Sequence, residues 1–100
     1  MAFSDPISRE AVLAAIAECD RLGRDAFLAK YGFGRAKRYF LDHAGREYDS
    51  KAIIGVAHGH QYPAKGPLGP HDFSGGDLTV RSKLQRLGFR VRVIPKPRPA

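Results

Sequence analysis

The six residues from Ala52 to Ala57 are all apolar or glycine, and they constrain the fold more than any other segment. Ser50 lies just before them and can cap a helix, so we predict a helix from Ser50 to about His58. A helix that is apolar on most sides must be buried. Because a chain of 100 residues forms one domain at most, the other elements must pack around this helix.

Two further helices are predicted on its N-terminal side. The first begins after Asp5 or Ser8, either of which can cap it, and stops at Gly23. The second runs roughly over residues 25–31 and also ends at glycine. The first helix has an apolar face and a polar face, made respectively of Val12, Leu13, Ile16 and Cys19 and of Glu10, Glu18 and Arg21. We interpret Cys19 as a small buried hydrophobe because it lies on the apolar face.

Three short strands are predicted. Residues 38–43 form the first, residues 44–46 a turn, and Glu47-Tyr48 the return strand of a hairpin. Residues 89–94 form a closing strand, because apolar and basic residues alternate along it. This alternation places Phe89, Val91 and Val93 on one face and Arg90 and Arg92 on the other.

A glycine- and proline-rich loop over residues 60–76 separates the central helix from a fourth helix. Asp77 can cap this fourth helix, and Gly88 ends it. Its buried side consists of Val80, Leu84 and Leu87. The predicted fold class is α+β, with about four helices packed on a small, mostly antiparallel sheet.

The net charge of +7 is distributed unevenly. Residues 1–34 carry four basic and five acidic side chains, whereas residues 35–100 carry thirteen basic and five acidic ones, a net charge of +8. Such a surface attracts polyanions. No apolar segment has the length of a membrane span, and the first seven residues lack the features of a signal peptide. We therefore expect a cytoplasmic protein whose partner is double-stranded DNA and not a membrane.

Lys51, Gly55 and His58 lie at positions i, i+4 and i+7, on one side of the predicted central helix. A phosphate there would meet a cation, bare backbone and an imidazole near the positive end of the helix dipole. We predict that these residues form an exposed DNA-binding strip. The alternative is that Gly55 permits close helix packing, with Lys51 and His58 as a solvated edge.

Basic residues near the C-terminus predict a second DNA-binding surface. They are Arg81 and Arg86 in the fourth helix and Arg90 and Arg92 in the closing strand. Basic groups neutralise phosphates, and the aromatic residues interleaved with them along the chain could stack on bases. A run of charges is more often a solvated face, but solvation alone does not require a regional net charge of +8.

The loop before the fourth helix supplies a third candidate, Ser74, Gly75 and Gly76. Consecutive backbone N–H groups in such a loop can bind a phosphate. The segment lacks the lysine and serine of a nucleotide-hydrolysing P-loop, so only binding is predicted. A plain loop that enters a helix is the better explanation of each residue taken alone.

One pattern is typical of metal-dependent nucleases. Asp49-Ser50-Lys51 has the acid-x-lysine form, and Asp42 lies one strand earlier. A lysine that leads into a helix is the wrong context for this motif. The pattern therefore supports a nuclease only weakly, and no catalytic residue is predicted.

The histidines indicate no metal site. His58 and His60 are two positions apart and do not share a helix face. His71 and Asp72 could join them, but no thiolate accompanies the group. We therefore predict neither a metal nor a cofactor.

Three segments together resemble a known family. They are YDSKAIIGVAHG at residues 48–59, FSGG at residues 73–76 and LQRLGFRV at residues 84–91. In order and spacing, over roughly residues 36–94, they are similar to the N-terminal head domain of ScoMcrA-like enzymes. These enzymes are bacterial type IV, modification-dependent restriction proteins with a C-terminal HNH nuclease. The resemblance implies a head domain that contributes DNA binding, while the nuclease lies elsewhere in the parent protein.

The principal hypothesis is a DNA-binding accessory domain of a modification-dependent restriction endonuclease, in which sensing of modified cytosine is one option. Residues 1–94 form this single domain, and residues 95–100 are a basic, proline-rich linker or tail. One alternative is a protein–protein or dimerisation module. The other is a minimal metal-dependent nuclease that uses Asp42, Asp49 and Lys51. A homo-oligomer formed through the parent protein is left open.

Overall fold

A computed structural model describes residues 5–73 and 80–95 of the chain. At its centre lies the helix α3, Ser50–Gln61, in which every residue from Ala52 to Ala57 is buried. The prediction of a buried central helix is confirmed. Its predicted cap is wrong by one residue, because Asp49 occupies the cap position and Ser50 is the first helical residue.

The helices α1, Arg9–Leu22, and α2, Arg24–Tyr31, form the predicted N-terminal pair. Ser8 caps α1, since its hydroxyl accepts a hydrogen bond of 3.1 Å from the amide of Ala11. Gly23 separates the two helices at a φ of 88°, a backbone conformation that favours glycine. The apolar face of α1 packs on α3 and includes Cys19, where burial raises the pKa of the thiol.

Three antiparallel strands form a sheet in the order β2-β1-β3: β1 is Tyr39–His43, β2 is Arg46–Asp49 and β3 is Arg90–Val93. Ala44 and Gly45 turn the predicted hairpin with φ values of 52° and 78°, as a tight turn between twisted strands requires. Leu41 of β1 aligns with Tyr48 and Val91, and this row faces the helices. The opposite side, which we call the outer sheet face, carries Phe40, Asp42, Glu47, Arg90 and Arg92.

The fourth helix, α4, covers Ser82–Arg86 and is shorter than predicted. Its predicted cap, Asp77, lies outside the described residues. Val80 and Leu84 are buried and Leu87 is partly buried, as the pattern indicated. The α+β fold class is confirmed. None of the helices in the described segments is long and apolar enough to span a membrane.

Candidate nucleic-acid interface

The predicted strip across α3 is not an exposed surface. Gly55 is buried because the backbone of Leu68 and the ring of Phe33 lie directly over it. A Cβ atom at this position would stand 2.5 Å from the carbonyl oxygen of Leu68 and 2.8 Å from Cζ of Phe33. The amide of Leu68 also donates a hydrogen bond of 3.0 Å to the carbonyl oxygen of Gly55. Gly55 therefore permits close packing, and the prediction that it offers bare backbone to a phosphate is wrong.

Lys51 and His58 are also engaged within the protein. The ammonium of Lys51 donates a hydrogen bond to the carbonyl oxygen of Pro70. The side chain of His58 is only 2% exposed, with Nδ1 2.9 Å from the carbonyl oxygen of Gly66 and Nε2 2.7 Å from a carboxylate oxygen of Asp5. The exposed position predicted for His58 is therefore wrong. Loop 62–70 covers the side of α3 on which the strip was expected.

The predicted phosphate-binding loop of Ser74, Gly75 and Gly76 lies outside the described residues. Phe73 and Val80, which border residues 74–79, are both buried. The part of this loop in DNA binding stays a prediction.

The structure divides the four predicted DNA-binding arginines between different surfaces. Arg90 and Arg92 lie on the outer sheet face, where Arg92 pairs with Glu47 at 2.8 Å and Arg90 aligns with Asp42. Two acids and two bases therefore share that face, which leaves little excess charge. Arg86 lies on α4 and is exposed, while Arg81 precedes α4 and is half-buried.

Basic residues from both ends of the sequence meet beside the turn between α4 and β3. Arg9 of α1 donates a hydrogen bond of 2.7 Å to the carbonyl oxygen of Leu87, and its guanidinium carbon lies 4.4 Å from the centre of the Phe89 ring. Next to it is a cleft of about 320 Å³. We call it the basic cleft; its lining consists of Pro6, Ile7, Lys83, Arg86 and Leu87. Arg9 is bonded to one of these lining residues, Leu87.

The charges at this cleft differ from those around α2. There, Arg24 pairs with Asp49 at 2.8 Å, and Lys30 pairs with Glu18 at 3.0 Å. Across residues 5–73 and 80–95, neither Arg9 nor Arg86 forms an ion pair with a carboxylate. Arg9 is nevertheless held in place by a carbonyl and a ring. A guanidinium that is fixed but lacks an acidic partner is suited to bind an anion such as a phosphate.

The acid-x-lysine pattern does not form a nuclease site in this arrangement. The carboxylate of Asp49 is buried and accepts two hydrogen bonds from Arg24, at 2.8 and 2.9 Å, and one of 2.7 Å from the amide of Ala36. Burial favours a higher pKa for Asp49, but these hydrogen bonds outweigh it and lower the pKa. The ammonium of Lys51 bonds elsewhere. Within the described parts of the chain, no three His, Cys, Asp or Glu side chains are grouped so as to hold a metal ion.

Glu18 was predicted on the polar face of α1 but is buried. Its carboxylate accepts hydrogen bonds from Tyr31, from Lys30 at 3.0 Å and from the ring of His60 at 3.1 Å. Burial favours a higher pKa for Glu18, but the three donors outweigh it and lower the pKa. The signal was present in the sequence, since Ala11, Ala15 and Glu18 follow one another at i, i+4 and i+7, and two small residues in line indicate close packing.

Fold and site together define a small basic α+β domain with a cleft lined in part by Lys83 and Arg86. The family model described as "ScoMcrA-like, N-terminal head domain" matches residues 5–93. The chain therefore belongs to the family of ScoMcrA-like N-terminal head domains. The match begins at residue 5, well before the segments from which the resemblance was inferred.

A solved structure supports this assignment. The chain is similar to the type IV phosphorothioation-dependent restriction endonuclease ScoMcrA, with 41% sequence identity and a TM-score of 0.65. The similarity covers 93% of this chain and 14% of that one, so the chain spans about one seventh of the length of this relative. No curated protein matches the sequence.

Proposed function

We propose that this chain is a DNA-binding accessory domain of a modification-dependent restriction endonuclease and that it supplies no catalytic centre of its own. The observation that carries the proposal is the basic cleft, where Arg9 and Arg86 have no acidic partner among the described residues. The solved relative, a phosphorothioation-dependent restriction endonuclease, acts on DNA. The net charge of +8 over residues 35–100 agrees with a polyanionic partner.

The chemistry of the cleft favours the sugar–phosphate backbone as its ligand. Guanidinium groups bind phosphate oxygens with charge-assisted hydrogen bonds, and Pro6, Ile7 and Leu87 add apolar atoms to the lining of the cleft. Contacts with phosphates position a protein on DNA but do not read its sequence. The domain then adds affinity, while recognition of the modification is assigned to the remainder of the parent protein. Sensing of modified cytosine by this domain stays a separate prediction.

The test is a titration of fluorescent duplex DNA with the chain, followed by anisotropy at several salt concentrations. Unmodified, cytosine-methylated and phosphorothioated duplexes of one sequence are compared. We expect binding that weakens steeply with salt and is similar for all three duplexes, because each neutralised phosphate adds about 0.9 to the log–log slope. Preference for the methylated duplex would support cytosine sensing. Affinity that does not change with salt would contradict the proposal.

Arg86→Ala tests the cleft itself. Loss of one charge-assisted contact with a phosphate, worth about 1.5–3 kcal/mol, should weaken binding by roughly tenfold or more and lower the salt slope by about 0.9. Arg21→Ala is the matched control, because Arg21 is exposed on α1 about 18 Å along the helix from Arg9. We expect the control to bind like the parent. Equal losses in both variants would place the DNA elsewhere.

The outer sheet face supports a second candidate function, contact with another protein surface. Half-buried Phe40 aligns there with Arg92, which pairs with Glu47, and β2 and β3 are the edge strands of the sheet. A face with balanced charge and an apolar centre is better suited to a protein partner than to DNA. Sedimentation of the chain at increasing concentration tests self-association. A monomer at all concentrations, together with DNA binding that requires Arg86, would exclude dimerisation as the function of the isolated chain.

A further inference from the structure

We propose that His58, as a buried imidazolium, holds residues 5–8 in place as one wall of the basic cleft. The inference rests on the proposed DNA-binding function and concerns how that cleft is shaped. Pro6 and Ile7, in the middle of this segment, line the cleft together with Lys83 and Arg86. His58 then acts as a positioning residue for DNA binding and does not touch the DNA.

Each ring nitrogen of His58 faces an acceptor among the described residues. Nδ1 lies 2.9 Å from the carbonyl oxygen of Gly66, and Nε2 lies 2.7 Å from a carboxylate oxygen of Asp5. A carbonyl oxygen only accepts hydrogen bonds, and so does an ionised carboxylate, so both ring nitrogens carry hydrogen. The hydrogen bonds from His58 and Lys65 lower the pKa of Asp5, which agrees with an ionised carboxylate. A ring that donates from both nitrogens is an imidazolium.

Residues 5–8 form further hydrogen bonds with residues at the C-terminal end of α3. The hydroxyl of Tyr62 donates to the carbonyl oxygen of Pro6, and the side-chain oxygen of Gln61 accepts a hydrogen bond of 3.1 Å from the amide of Ser8. These contacts join the segment to the C-terminal end of α3. His58 differs from the other partners because its ring is 2% exposed, whereas the side chain of Lys65 is 60% exposed. It is the anchor least subject to competition from water.

An ion pair with one buried member is a poor way to gain stability, because desolvation of the buried charge offsets much of the attraction. An apolar side chain at position 58 could fill the same space. The charged pair instead fixes where the segment lies, since a hydrogen-bonded pair has a defined geometry that apolar contacts lack. This difference explains why position 58, directly after the apolar run of α3, carries a histidine bonded to the segment that lines the cleft.

The experiment compares His58→Gln and Asp5→Asn with the parent chain in binding of unmodified duplex DNA over a range of salt. Glutamine keeps a hydrogen-bond donor but cannot carry charge. We expect both variants to bind roughly tenfold more weakly, with an unchanged salt slope because Arg9 and Arg86 are still present. Lys65→Ala removes the exposed partner of Asp5 and is the control, which should bind like the parent. NMR of the ¹⁵N-labelled parent should show both nitrogens of His58 protonated.

The outcomes separate this inference from the proposed function. If the parent binds DNA but His58→Gln and Asp5→Asn, both folded, bind equally well, the positioning role is overturned. A salt slope lowered by about 0.9 in His58→Gln would show that His58 contacts a phosphate directly, which would also overturn the positioning role. An NMR spectrum that shows a neutral imidazole ring would overturn it as well. If His58→Gln does not fold, the DNA binding of Asp5→Asn decides whether the positioning role holds. Because the Asp5 side chain is partly exposed, we expect this variant to fold. A parent that does not bind DNA would contradict the proposed function, while the NMR measurement still tests the imidazolium.

Discussion

The surface over α3 and the basic cleft differ in what surrounds their cations. Over α3, Lys51 bonds to the carbonyl oxygen of Pro70, and His58 is enclosed between Gly66 and Asp5. At the cleft, Arg86 is exposed and has no acidic partner in the described segments. The spacing of residues along a helix shows which side chains share a face, but it does not show whether another segment covers that face. Available charge therefore has to be judged from tertiary contacts.

The largest expected effect compares the cleft with the outer sheet face. Arg9→Ala combined with Arg86→Ala should weaken binding of duplex DNA by roughly a hundredfold, since each lost contact contributes about 1.5–3 kcal/mol. Arg90→Ala combined with Arg92→Ala removes the same charge from a face where Glu47 and Asp42 already offset it, so a small loss is expected. Anisotropy at one fixed salt concentration measures both. Equal losses would remove the distinction between the two surfaces.

The next effect concerns stability at the covered face of α3. Gly55→Ala would place a methyl group 2.5 Å from the backbone oxygen of Leu68, and such overpacking costs about 1–3 kcal/mol. Each kcal/mol lost from the free energy of unfolding lowers the melting temperature of a domain of this size by roughly 4–8 °C. Gly34→Ala is the control, because a Cβ there meets nothing within 4 Å. Thermal unfolding followed by circular dichroism measures both variants, and equal melting temperatures would contradict the close packing. At a temperature where it is folded, Gly55→Ala should still bind DNA like the parent.

A smaller effect is expected from acid. The pKa of Glu18 is lowered in the folded state, so the ionised carboxylate contributes stability above its unfolded pKa, and this contribution is lost as the pH falls through the folded pKa. Glu18→Gln should be less stable near neutral pH by about 1 kcal/mol and should lose less stability below about pH 5 than the parent does. Urea unfolding at several pH values tests this. Parallel pH profiles for the two proteins would show that Glu18 does not contribute.

No effect at all is expected of the chain on intact DNA in the presence of Mg²⁺. Asp49 is bonded to Arg24 and to the amide of Ala36, so it is not arranged to hold a metal with Asp42. The ammonium of Lys51 bonds to Pro70 and is not directed at such a site. Relaxation of supercoiled plasmid is a sensitive assay for nicking. Nicking that requires Mg²⁺ and disappears in a folded Lys51→Ala variant would restore the nuclease hypothesis.

Elements that depend on local sequence were predicted well. The hairpin at Ala44-Gly45, the glycine between α1 and α2 and the alternation in β3 all follow from conformational preferences of a few neighbouring residues. The burial of Gly55 could not be predicted from neighbouring residues, because it depends on how loop 62–70 folds back on α3. The position of Arg9 could not be predicted either, since its bond to Leu87 spans 78 residues of the chain. The predicted site and the basic cleft share only Arg86 for this reason.

The contact between Arg9 and Leu87 also affects when the cleft exists. The cleft is assembled from Pro6 and Ile7 near one end of the chain and from α4 near the other, so a partly folded or shortened chain cannot form it. Local helices form quickly, whereas contacts between distant segments are the slow part of folding. A ligand at this place binds only the complete native state and stabilises it by mass action, by about 2.7 kcal/mol at a hundred times the Kd. Occupancy by DNA would thus protect the whole domain from unfolding and proteolysis.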